Sequence, residues 1–195
     1  MQKQQFQRLQ RAANQNRCHL AAKLGERYCR LNPNHSPAWL FYGRSLAAIA
    51  RYDEARVALQ RCLETAPPER YATIYAQLGH LEALAGDFPA AEAWYHKAFD
   101  AAAPDEVERL YLSEILYRQG KLQEAESIFR RVVATQNESK EQACHLLGEI
   151  LASQCRYREA MDAFQQAAEA APTRPKHARR LRELKRIVRL DESSP

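Results

Sequence analysis

The 195-residue chain is short of glycine, with six, and has few runs of the β-branched residues that favour strands. Alanine and leucine make up most of its apolar content, and both give up little rotamer freedom in a helix. This balance predicts an all-α protein. No apolar run approaches the roughly 20 residues that span a bilayer. The N-terminal "MQKQQFQRLQRAANQNRC" also lacks the apolar core of a signal peptide, so a cytoplasmic location is expected. Cys18, Cys29, Cys62, Cys144 and Cys155 lie far apart, without the close CxxC pairing of a zinc or redox motif, and read as reduced packing residues. Missing too are a G-x-G-x-x-G turn, a P-loop, an H-E-x-x-H helix and a nucleophile elbow, and the six histidines are spread singly. No catalytic residue, metal ion, cofactor or small-molecule substrate is expected.

Charge is present but segregated. Residues 1 to 30 hold seven Lys or Arg against one Glu (+6), and residues 174 to 192 hold eight against three acids (+5). The residues between them, 31 to 173, hold fourteen bases and twenty acids, a balance of −6. The basic ends admit an acidic protein, a nucleic acid or a membrane surface as partner. The acidic middle and the lack of interleaved exposed aromatics argue against nucleic acid.

What the chain has in abundance is self-similarity. "RYDEARVALQRCLETAP" at 51 to 67 returns as "RYREAMDAFQQAAEAAP" at 156 to 172. Related copies stand at 87 to 104 ("DFPAAEAWYHKAFDAAAP") and 121 to 137 ("KLQEAESIFRRVVATQN"), with a fainter one at 17 to 33. Each clear copy follows a second apolar stretch, so the unit is a pair of helices. Unit starts near Gln2, Ser36, Ala72, Glu106 and Glu141 give steps of 34, 36, 34 and 35 residues. A period in this range marks a stacked repeat protein.

Residue by residue, the units carry a signature. The second has Trp39, Tyr42, Gly43 and Leu46, then Ala55, Leu59 and Pro67. The third has Tyr75, Leu78 and Gly79, then Ala91, Tyr95 and Pro104; the fourth has Leu112, Ser113 and Leu116, then Ala125 and Phe129, with Asn137 in place of proline. The fifth has Leu147, Gly148 and Leu151, then Ala160, Phe164 and Pro172. The first keeps Ala21 and Pro33 but puts Leu9 and Gly25 where a small and an aromatic residue usually sit. This pattern resembles the tetratricopeptide repeat. The resemblance implies an all-α, right-handed α-solenoid of about five helix-turn-helix repeats: 2–35 (degenerate), 36–71, 72–105, 106–140 and 141–174.

Gly43, Gly79 and Gly148 fall inside first helices, where close approach to the small Ala55, Ala91 and Ala160 would compensate their cost. Gly86 and Gly120 suit positive-φ helix ends. Glu82 sits where an apolar side chain is usual, so unusual packing is expected there. Residues 175–190 read as a basic capping helix, with Ala178, Leu181, Leu184 and Val188 forming its apolar stripe.

The resemblance also implies that first helices line a concave face that binds a partner. On that stripe lie Phe41, Arg44, Gln77 and His80, then Tyr111, Glu114, Tyr117 and Arg118, and finally His145 and Glu149. One subset of the family grips chaperone C-termini through a Lys, Asn and Arg cluster; Glu114 and Glu149 spoil that pattern here. The expected function is a non-enzymatic scaffold or adaptor binding a peptide or helix of a partner protein, with self-association possible. The alternative is a regulatory or substrate-recruiting module of a glycosyl- or sulfotransferase system.

Overall fold

A computed structural model describes residues 2 to 135 and 139 to 192, and among them every regular element is helical. The helices are α1 (Gln2–Asn14), α2 (Cys18–Leu31), α3 (Ser36–Ala48), α4 (Tyr52–Thr65), α5 (Tyr71–Ala85) and α6 (Phe88–Ala101). They continue as α7 (Glu106–Arg118), α8 (Leu122–Ala134), α9 (Lys140–Ser153), α10 (Tyr157–Ala170) and α11 (Pro175–Glu192). Helices α1 to α10 pack in sequential pairs, which form five hairpins. Contacts gather them into two compact units, Met1–Pro104 and Asp105–Pro195. The first unit holds three hairpins, and the second holds two hairpins and α11.

One turn closes every hairpin. Asn16, Ala50, Gly86, Gly120 and Cys155 all have positive φ, from 56° to 87°. In each case the next residue's N–H reaches back to the carbonyl five residues earlier: Arg17 to Ala12, Arg51 to Leu46, Asp87 to Glu82, Lys121 to Leu116 and Arg156 to Leu151, at 2.9–3.0 Å. This is the hydrogen-bond pattern that satisfies orphan carbonyls at a helix C-terminus. Glycine meets its left-handed requirement at two of the five turns, and three use residues with a Cβ.

The repeat signature builds the core. Ala55, Ala91, Ala125 and Ala160 are fully buried, as are Leu59, Tyr95, Phe129 and Phe164 one turn further on. A Cβ added at Gly79 would stand 2.7 Å from the Tyr95 ring and one at Gly148 2.9 Å from Phe164. The glycines therefore admit the large partner of the following helix, and the recurring spacing to alanine serves mainly to bring the backbones near: the Ala91 carbonyl lies 3.2 Å from the Cβ position at Gly79. In the first hairpin the sizes are exchanged, with Leu9 buried and Tyr42 of α3 pressing on Gly25.

Prolines stop the second helices as expected: Ala66, ahead of Pro67, is extended (φ −85°, ψ 148°). Asn137 lies outside the described residues. A 3-10 turn, Pro68–Arg70, leads into α5.

Two expectations need correction. Ala178 is exposed, and the residue of α11 that is buried in its place is His177, so the inward stripe runs His177, Leu181, Leu184 and Val188. Burial pushes the thiols of Cys29, Cys62 and Cys144 up, to about 12, 11 and 11, which suits inert packing residues. Cys155, by contrast, is exposed on its turn and packs no core.

Candidate functional site

In the first unit, Phe41 and Arg44 stand one turn apart on α3. Phe41 is half-buried, its ring 6.0 Å from Phe6 of α1. Arg44 is exposed and has no carboxylate partner among the described residues. Both line a pocket of about 390 Å³ with Ser45, Ala48 and the α1–α2 turn residues Asn14, Asn16 and Cys18. His80 of α5 feels Arg44: burial first, then that positive charge, lowers its pKa below the ordinary histidine value. Gln77, one turn before His80, is half-buried. These four residues thus share the neighbouring first helices α3 and α5, which pack together.

In the second unit, Tyr111 is 38% exposed on α7, and Tyr117 is half-buried. Glu114 has its carboxylate 3.6 Å from Arg118 on the next turn, and Gln142 of α9 donates to it at 3.4 Å. The remaining two predicted residues are engaged by α11. Arg180 donates to both oxygens of Glu149, at 2.7 and 2.5 Å, and the His145 ring lies 5.0 Å from His177. Burial, together with the positive Lys176, lowers the His145 pKa.

Glu141, on the same stripe of α9, gathers three more groups from the start of α11. His177 Nε2 donates at 2.6 Å, Arg174 at 2.6 Å, and Lys176 stands at 3.4 Å. Burial would raise the Glu141 carboxyl, but the His177 hydrogen bond and the charges of Lys176 and Arg174 carry the balance below its ordinary value. The stripe Glu141, His145 and Glu149 is therefore the docking rail of α11.

Among the described residues, no group of three or more His, Cys, Asp or Glu is placed to hold a metal ion, and no helix is long and apolar enough to cross a membrane.

Residues 7–78 match the tetratricopeptide-repeat family model, and residues 85–167 match the model for anaphase-promoting complex, cyclosome, subunit 3. The chain is a tetratricopeptide-repeat protein. No curated protein matches it in sequence. Its fold is that of the C-terminal part of a tetratricopeptide-repeat protein from Cytophaga hutchinsonii, with a TM-score of 0.82 at 14% identity over 97% of this chain and 73% of the other. YrrB, described as a tetratricopeptide-repeat protein with an unusual peptide-binding site, gives 0.69 at 18% identity over 88% and 87%. The Cut9–Hcn1 hetero-tetramer of the anaphase-promoting complex gives 0.71 at 17% identity over 92% of this chain, which spans 35% of that one.

Tetratricopeptide repeats support a protein-interaction scaffold. This repeat protein also carries a pocket that its sequence did not announce. Trp39 and Tyr42 of α3, Val57 and Ala58 of α4, and Glu26 and Arg30 of α2 line about 480 Å³, with Asp53 and Glu54 completing the wall. Trp39 and Tyr42 read as signature packing residues, and they do pack on the core while leaving one side open. The available signal was Val57, an apolar side chain on the otherwise polar stretch of α4, which is 63% exposed.

Proposed function

We propose that this repeat protein is a non-enzymatic adaptor that binds a segment of a partner protein on its first helices. In the first unit the binding surface is Phe41, Arg44, Gln77 and His80; in the second it is Tyr111, Glu114, Tyr117 and Arg118. The observation that carries this reading is Arg44: an exposed guanidinium without a carboxylate partner among the described residues, lining a pocket together with the half-buried Phe41. Such a combination offers an acidic group a charged contact and a neighbouring side chain an apolar seat. Glu149 and His145 contribute to α11 docking instead, which leaves them out of the surface.

The test is affinity capture from the native cell with identification by mass spectrometry, run with the natural chain, Arg44→Glu and the Tyr111→Ala/Arg118→Glu pair. A partner retained by the natural chain and lost from a variant with unchanged circular dichroism supports the reading. Equal capture by all three would overturn the surface assignment.

A further inference from the structure

The two basic ends of the chain are used differently. On α11, Lys176, Arg179 and Arg180, with Arg174 just before it, are held by Glu141, Glu149 and Glu183, while Arg182, Lys185 and Arg186 are exposed around Glu183. On α1 and α2, only Arg30 has a carboxylate, Glu26 at 3.2 Å. Lys3, Arg8, Arg11, Arg17, Lys23 and Arg27 are exposed and have no ion pair among the described residues.

The surroundings of these cations are equally one-sided. The exposed face of α1 interleaves them with Gln4 and Gln7, Gln15 follows its last residue, and the helix contains no acid. Arg8, Arg11 and Gln15 recur at helical spacing, so donors repeat about every 5 Å along one side. Arg17 stands at the start of α2, where a helix favours an anion or an acceptor side chain, and it makes no capping bond. Basic residues stand at the same place in other hairpins, but there the first turn brings a carboxylate: Arg51 donates to Glu54 at 2.7 Å and Arg156 to Glu159 at 2.8 Å. The α2 first turn has no acid, and Leu20 occupies the equivalent position.

We infer that the outer face of the α1–α2 hairpin binds the phosphate backbone of a nucleic-acid duplex. Guanidinium, ammonium and amide donors are the groups that contact phosphate, and they position a protein without reading sequence. Of the large apolar side chains of this hairpin, Leu31 at the C-terminal end of α2 is exposed, and none between Gln2 and Arg30 is. A protein partner would need a cluster of aromatic or aliphatic anchors, and a membrane surface would need an apolar face to insert; one leucine at the end of α2 supplies neither. Single strands are disfavoured because stacking platforms are missing.

The inference extends the adaptor reading without depending on it, because Arg44 and the faces of α5 and α7 take no part. The experiment is fluorescence anisotropy of a labelled mixed-sequence DNA duplex with the full-length chain, from about 50 to 200 mM salt. Two variants accompany it: Arg8→Gln/Arg11→Gln/Arg17→Gln, and Arg182→Gln/Lys185→Gln/Arg186→Gln. Expected are binding at low salt, a linear loss with log salt, and a slope reduced by about 3 in the first variant, at about 0.9 per phosphate contact removed. The second variant should retain most of the slope. Absence of binding at low salt, an unchanged slope in the first variant, or stronger competition by polyglutamate or phosphatidylserine vesicles than by unlabelled duplex would overturn it.

Discussion

Helices α1 and α11 carry similar charge to opposite ends. Arg174, Lys176 and Arg180, at and just before the start of α11, meet acids of α9 and fasten that helix to its neighbour; the cations of α1 face solvent without carboxylates among the described residues. Net charge by segment, +6 and +5, cannot distinguish them. The distinction lies in whether acids stand within reach on the packed element, which is a property of the fold.

Breaking the α11 rail should produce the largest effect. Glu141 is mostly buried and meets three cationic or donor groups, so Glu141→Ala leaves His177 buried and unpaired. A loss of about 2–4 kcal/mol is expected in chemical denaturation, against less than about 0.5 for Arg8→Gln/Arg11→Gln. The first unit offers a counterpart in Glu82, buried on α5 and clasped by Arg56 of α4 through two 2.8 Å bonds. Arg56→Ala should cost about 2–3 kcal/mol by stranding that carboxylate.

Acid sharpens the comparison further. The folded pKa of Glu141 is lowered, so its stabilisation is present above the unfolded carboxylate value and is lost as pH falls through the folded value. His145 is also lowered, so the unfolded chain takes its proton first and stability falls as pH drops below about 6.5. The protection factors of α11 amides should therefore fall in two steps on acidification, with the upper one missing in His145→Gln. Protection in α1 lacks the lower, Glu141 step.

The smallest effect falls on the shared turn. Ala50→Gly in one unit and Cys155→Gly in the other should each stabilise by about 0.5–1 kcal/mol, because each relieves a left-handed backbone at a residue with a Cβ. Thermal unfolding of the single variants would measure this, and a loss at either position would contradict the strain.

Much of the fold was legible because the repeat writes its packing as residue size: Gly79 must be small for Tyr95 to enter, and Gly148 for Phe164. The turns at Ala50 and Cys155 were hidden because neither residue type advertises positive φ. The inward stripe of α11 was misread by one position, since hydropathy ranks Ala178 above His177 while the ring fills the space and bonds Glu141. At the candidate site, helix positions could be read, but partnerships could not. Glu149 and Arg180 are 31 residues apart, and Glu82 and Arg56 are 26 apart, so nothing local links them.

Arg174 and Arg180 fasten α11 to α9, whereas Arg11 and Arg17 make no ion pair among the described residues, and that contrast can be measured. Thermal unfolding of Arg174→Glu/Arg180→Glu beside Arg11→Glu/Arg17→Glu tests it most directly. The expected midpoint is lower by about 5–10 °C for the first pair and nearly unchanged for the second, on the scaling of about 2–4 °C per kcal/mol for a chain of this size. Equal losses in the two variants would contradict it.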